Sequence, residues 1–145
     1  MVRGGSIDPW SSEQATDYDR MIEQFGLTPM DLGSIPNPGM LHRRGIVFAH
    51  RDMDVITDSI TKGDPFGVLT GLMPSGRMHL GHSMVIEQVR WFQEQGADVT
   101  VAVADLEALA TRGTSLSKGR ETALREYVLN YAALGLNSDK TSVYF

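Results

Sequence analysis

Two histidines three positions apart, His79 and His82, stand in the run PSGRMHLGH, beside Pro74, Ser75, Gly76 and Gly81. On the opening turn of a helix, side chains at i and i+3 face the same way, so both imidazoles could donate to the oxygens of one phosphate. The first N–H groups of a helix lack internal partners and carry the positive end of its dipole, which favours an anion at the same place. Gly81, without a Cβ, would let a flat ligand approach the backbone. A bare His-x-x-His is also compatible with a metal pair or with two surface residues; the whole string between a strand and a helix is far more selective for phosphate chemistry. A second set of capable groups, Asp105 and Glu107, follows the valine-rich run DVTVAVA. Carboxylates beyond the C-terminal end of a parallel strand sit where open α/β sheets bind ligands. For Glu107 the ligand role is the stronger of two readings; for Asp105 a ligand role and simple capping of the next segment stand level.

Elements of defined type must position these groups. Phe66, Val68 and Leu69 read as a short buried strand over about 66–70, and Gly71, Pro74, Ser75 and Gly76 as the loop after it. A helix over about 80–95 carries the stripe Met84/Val85, Gln88/Val89 and Phe92, widened by Ile86 and Trp91 as for a helix lying on a sheet, and ends at Gly96. Residues 98–104 alternate valine with small residues, which predicts a parallel strand covered on both faces. A polar loop at 111–118, a helix over about 117–134 with Leu124, Tyr127, Val128 and Tyr131 on one core-packing face, and a strand at 142–145 complete a βαβαβ order. That is α/β, half of a doubly wound parallel sheet, with right-handed crossovers expected.

Upstream, the chain is irregular. Trp10, in a polar Gly/Ser-rich arm, reads either as a docking residue, the preferred role, or as part of a loose tail. Residues 17–25 carry a short helical stripe (Tyr18, Met21, Ile22, Phe25) closed by Gly26. Residues 27–40, with three prolines and two glycines, read as a surface loop. Ile46-Val47-Phe48 is an apolar run flanked by Arg43, Arg44, His50 and Arg51, which form either a solvated basic rim or a cationic wall near a phosphate. Asp52 is placed to cap a helix carrying Met53, Ile56 and Ile60 that Gly63 closes.

At 145 residues the chain is one domain's worth and can bury a real core. Eighteen acidic against thirteen basic residues, a net charge of -5, argues against a generic nucleic-acid coat. The absence of cysteine excludes disulfides and thiolate zinc sites and fits a reducing compartment. The stretch MVRGGSIDPW lacks the apolar core of a signal peptide, and no run approaches the ~18 apolar residues of a membrane span. A cytoplasmic protein without membrane partners is expected. Neither a Gly-x-Gly-x-x-Gly nor a Walker A pattern occurs, so a dinucleotide or P-loop reading has no support.

The central string resembles the HIGH motif of class I aminoacyl-tRNA synthetases, in the tryptophan/tyrosine subgroup. Asp8-Pro9-Trp10, Asp17-Tyr18-Asp19, Phe25-Gly26, the run RRGIVFAHRDM from Arg43 to Met53, then Lys62, Pro65-Phe66 and Leu69-Thr70-Gly71 are similar, in the same order, to archaeal/eukaryotic tryptophanyl-tRNA synthetases. The likeness runs along residues 7–145 and implies a Rossmann-like (HUP-type) fold, with 1–63 as an N-terminal extension of short helices and 64–145 as the first half of the catalytic domain. It implies a tryptophan–tRNA ligase that uses ATP, with Mg²⁺ held through the ATP phosphates, and takes tryptophan and tRNA(Trp), as a homodimer. His79 and His82 would be catalytic, stabilising the triphosphate; Gly81 would lie against adenine, with Pro74, Ser75 and Gly76 lining the ATP pocket. Glu107, Leu69 and Gly71 would meet the amino acid. Archaeal-type tyrosine enzymes look to have histidine where this chain has Glu107, which favours tryptophan. Two positions depart from the pattern: Leu69 stands where relatives place a tyrosine, and Ala102 near where they place a glutamine.

No Lys-Met-Ser-Lys-Ser loop is present; the only lysines are Lys62, Lys118 and Lys140. These 145 residues by themselves are therefore expected to charge tRNA negligibly. The competing classes are a tyrosine–tRNA ligase, another nucleotidylyltransferase built on His-x-Gly-His, and a non-catalytic nucleotide-binding or assembly module.

Overall fold

The structure, a computed structural model, describes residues 18–145. Trp10 and its docking lie outside the described residues. The expected α/β order is present: β3 (Gly67–Leu72), α4 (Leu80–Glu94), β4 (Asp98–Val103), a helical stretch and β5 (Thr141–Tyr144) form a parallel sheet in the order β3-β4-β5. Register pairs Val68 with Val99 and Val101 with Val143, so these side chains share one face. That face packs on Ile86 and Val89 of α4 and on Tyr127 and Tyr131, forming the main core.

Among the described residues the opposite face is exposed, where the sequence predicts a strand covered on both sides. Leu69 is 75% exposed, Tyr144 61% exposed, and Gly71, Ala102 and Ser142 are exposed beside them. Among the described residues the helices that build the core lie on the valine face, and small residues in β4 mark a surface left uncovered here. Gly71 belongs to β3, paired with Ala102, and not to the loop. The strand runs on two residues past the expected end because the ladder to β4 continues to Leu72 and Val103.

The long helix expected over 117–134 is three pieces in one line: α6 (Leu116–Thr122), a π-helical turn (Ala123–Val128) and α7 (Leu129–Ala133). Leu124 is exposed, and the buried positions are Gly119, Ala123, Tyr127 and Tyr131. A spacing of four drifts by ~40° per step round an α-helix of 3.6 residues per turn, and a wider π turn absorbs that drift. A further helix, α5 (Asp105–Arg112), for which the sequence predicts no element, follows β4 directly and takes up the first two residues of the expected polar loop at 111–118; Gly113, at φ +65°, closes it.

Residues 27–40 are not simply a surface loop. α1 (Tyr18–Phe25) ends at Gly26, then β1 (Thr28–Pro29) pairs antiparallel with β2 (Ala49–His50), flanking a 3-10 turn at Leu32–Ser34 and α2 (Met40–Arg43). Ile35 is buried in a second cluster with Met53 and Trp91. Trp91 therefore faces the N-terminal segments and not the sheet; α4 has two apolar sides. His42, buried on α2, stacks on Trp91 with centroids 4.4 Å apart and pairs through Nε2 with the Gln88 amide at 3.1 Å. α3 (Met53–Lys62) begins at Asp52 as expected, but Asp52 sits at φ +56° and its side chain makes no cap bond. His50 Nδ1 accepts the Met53 N–H instead, at 3.2 Å. At the far end of α4, buried Gln93 donates to Thr141 Oγ1 at 2.9 Å and accepts the Asn137 N–H at 2.7 Å, tying α4 to the entry of β5.

Candidate active site

β3 hands over to α4 through residues 73–79, and that turn holds the histidine string. The Ala104 N–H bonds the Leu72 carbonyl, and the Ser75 N–H folds back onto the Met73 carbonyl at 2.8 Å. Pro74 is buried, whereas Ser75, Gly76, His79 and Gly81 are exposed. His79 is the N-cap of α4 in extended conformation. Its backbone N–H donates to His82 Nδ1 at 3.3 Å, and the two rings lie 4.0 Å apart. With Nδ1 accepting, a neutral His82 carries its proton on Nε2, which is free to donate elsewhere. Burial, and secondarily the neighbouring His79, push the His82 pKa below its ordinary value, which favours the neutral ring. The Leu80 and Gly81 N–H groups share this first turn, where a helix offers no internal acceptor. The arrangement supplies donors and a helix dipole at one point, suited to phosphate oxygens.

Gly81 is open to solvent, but its bare side is occupied: a Cβ there would lie 3.1 Å from His79 Cε1 and 3.2 Å from Nδ1. The His79 ring covers the surface expected to receive a flat ligand. Among the described residues no group of three or more His, Cys, Asp or Glu side chains converges on one point.

Asp105 and Glu107 are separated in role. Asp105 opens α5, is 2% exposed, and is paired at 2.8 Å with Arg120 Nε. The Arg120 hydrogen bond, helped by the Leu106 N–H, holds its carboxyl below the usual carboxylate range. The N-cap of α5 is Ala104, so Asp105 is not the cap that one of its two readings made it; its carboxylate pairs with Arg120 instead. Glu107, on the same first turn, is exposed. Leu69 lines an apolar hollow of about 330 Å³ between β3 and α4, with Ile46, Val47, Met84, Val85 and Phe92. Glu107 is not among its lining residues.

Arg43, His50 and Arg51 of the basic stretch make local structural contacts. Arg43 bonds the Pro38 carbonyl, Arg51 bonds the Phe25 carbonyl at 2.6 Å, and His50 caps α3. Two residues take part that the sequence does not place at the site. Arg120 is the counter-charge of a strand-end acid, for which the signal was an Asp that burial would force to pair. Tyr127 was assigned to the core alone, yet its ring and the His82 imidazole meet in a T-shaped arrangement at 5.5 Å.

The family described as tRNA synthetases class I (W and Y) matches residues 61–145. A tryptophan–tRNA ligase of Methanosarcina acetivorans is 46% identical over 141 residues, 96% of this chain and 32% of its own length. That of Methanopyrus kandleri is 47% identical over 137 residues, 92% of this chain and 36% of its own. The chain thus spans about a third of the length of these curated relatives. The crystal structure of tryptophanyl-tRNA synthetase from Aeropyrum pernix K1 superposes with a TM-score of 0.83 at 40% identity, covering 96% of this chain and 40% of that one. A tryptophanyl-tRNA synthetase from Encephalitozoon cuniculi bound to tryptophan gives 0.78 at 28% identity, over 88% of this chain and 40% of that one. Strand–loop–helix geometry, the histidine pair and these matches converge: the chain belongs to the class I tRNA synthetases of the tryptophan and tyrosine group.

Proposed function

We propose that this chain is the N-terminal, ATP-engaging part of a tryptophan–tRNA ligase. The observation that carries the proposal is the His79–His82 pair on the first turn of α4, with His82 Nδ1 taken by the His79 N–H, in a chain matched nearly end to end by tryptophan–tRNA ligases. In the reaction a tryptophan carboxylate oxygen attacks the α-phosphorus of ATP and pyrophosphate leaves; a terminal ribose hydroxyl of tRNA(Trp) then attacks the adenylate's carbonyl carbon and AMP leaves. This chain's part is to hold the triphosphate: His79, His82 and the first-turn N–H groups meet phosphate oxygens whose charge shifts as the α–β bond breaks. Pro74, Ser75, Gly76 and Gly81 border the nucleotide, and Mg²⁺ arrives on the phosphates. Occupation of Gly81 by adenine requires the His79 ring to swing aside, which its exposure permits. Glu107 meets the amino group or the indole N–H, while Leu69 and Gly71, on the open sheet face, border the amino acid. Residues 64–145 then form the first half of the catalytic domain and 1–63 its extension, in a cytoplasmic homodimer. Among the described residues no helix is long and apolar enough to cross a membrane.

The test is amino-acid-dependent ATP–pyrophosphate exchange by the full-length gene product. Exchange is expected with tryptophan and not tyrosine, and His79→Ala plus His82→Ala should lower its kcat by 10²-fold or more, roughly the effect of losing one transition-state donor. Tyrosine-specific exchange would move the protein to the tyrosine ligases. Exchange with neither amino acid, together with ATP binding unchanged in the double variant, would make it a non-catalytic module.

A further inference from the structure

The phosphate-facing turn is held from behind by one side chain on a distant element. Tyr127 is 2% exposed and belongs to the π-helical turn at Ala123–Val128. Its hydroxyl donates to the Met73 carbonyl at 3.4 Å. The same ring and the His82 imidazole meet in a T-shaped arrangement, at 5.5 Å and 85°. One residue therefore touches both the start of the loop 73–76 and the catalytic-side imidazole. The Met73 carbonyl already takes the Ser75 N–H at 2.8 Å, so the hydroxyl joins a local fold-back at its acceptor. Tyr131, one step further along the same stripe, is as deeply buried, yet its hydroxyl has no hydrogen-bond partner among the described residues. The contrast singles out Tyr127: an aromatic residue needed only for packing would not have both its oxygen and its ring on the loop and the histidine. π turns are rare and concentrate at functional sites, and this one keeps the four-spaced stripe on the sheet side so that Tyr127 meets the loop.

We propose that Tyr127 is a positioning residue for ATP engagement: its hydroxyl sets the Met73–Gly76 loop, and its ring sets the orientation of His82. The proposal rests on the assignment of that turn to ATP. Without the hydroxyl the loop samples other conformations before ATP arrives, and the population able to bind falls. The effect should appear in ATP affinity more than in tryptophan affinity.

The experiment uses the full-length gene product. Tyr127→Phe removes only the oxygen; it should raise KM for ATP roughly fivefold to tenfold, the effect of one lost hydrogen bond, and leave KM for tryptophan within twofold. Tyr127→Leu also removes the ring and should lower kcat as well, through His82. Hydrogen exchange at the Ser75 amide, which shares the Met73 carbonyl with the hydroxyl, should quicken in Tyr127→Phe, measured without ligand, while amides of β4 keep wild-type protection. Unchanged ATP KM in Tyr127→Phe, or equal increases in both KM values, overturns the proposal. Unchanged Ser75 exchange overturns it as well. Failure of the ATP assignment itself reads differently: the wild-type protein then shows no amino-acid-dependent ATP–pyrophosphate exchange, and Ser75 protection follows the variant regardless.

Discussion

Gly39→Ala places a methyl group where the structure has no room for one. Gly39 lies at φ −68° and ψ 176°, extended backbone that any residue adopts, so strain in the chain is not the issue. The obstacle is Trp91: a Cβ at Gly39 would come 2.8 Å from its Cδ1 and 3.3 Å from its Cγ, with His42 Nδ1 also at 3.3 Å. The indole cannot swing clear. Its Nε1–H donates to the Asn37 carbonyl at 2.8 Å, its faces meet His42 and Phe92, and it is 4% exposed. Nor can His42 retreat, because Nδ1 takes the Gly39 N–H at 3.1 Å and Nε2 pairs with Gln88. Overpacking of this kind costs about 1–3 kcal/mol. About 2 kcal/mol, in a chain of this size, lowers Tm by roughly 4–8 °C. Urea and thermal denaturation followed by circular dichroism measure it, with Trp91→Leu and the double variant completing a cycle. Once the indole is gone, Gly39→Ala should cost under about 0.5 kcal/mol. A Gly39→Ala protein within about 0.5 kcal/mol of wild type, or an equal cost in the Trp91→Leu background, would refute the idea that Trp91 is locked between α2 and α4.

Further outcomes follow from charge and space around the turn. Asp105, with its pKa lowered chiefly by Arg120, is charged in the folded state at pH values where the unfolded carboxyl is already protonated. Its contribution is complete above the unfolded value of 3.8 and is lost as pH falls through the folded one; Asp105→Asn should therefore be less stable at pH 7 and flatten the acid limb of the stability curve. In an NMR titration His82 should protonate below 6.5, and His79→Ala should raise its pKa toward that value by removing the neighbouring charge. Burial likewise lowers the pKa of His42, so wild-type stability should decline as pH falls below 6.5, and His42→Gln should lessen that decline. Gly81→Ala meets only the His79 ring, an exposed side chain able to move, so stability should stay within about 0.5 kcal/mol of wild type while KM for ATP rises.

Much of the architecture was legible along the chain because element type is set by local periodicity. The alternation in 98–104, the helical stripe after His82 and the closing glycines at 63, 96 and 135 each report on a few neighbouring residues, and each marks the element or element end expected there. The histidine string was legible for the same reason: N-cap, first turn and dipole are consequences of sequence position within one helix. β1 and α5 were less so. A two-residue strand carries no period, and Pro29 is tolerated in it only because it lies at an edge.

What the sequence by itself determined is the order of strands and helices and the place where a phosphate could meet a helix. Tertiary structure alone decided which side chains stand behind that place. Asp105 finds Arg120 across 15 residues, His42 finds Gln88 across 46, and Met73 meets Tyr127 across 54. No periodicity encodes those pairings, because they arise when separately formed elements pack. Packing also leaves one sheet face exposed among the described residues and lays the His79 ring over Gly81, since exposure depends on what lies opposite and a residue's own neighbours do not specify it.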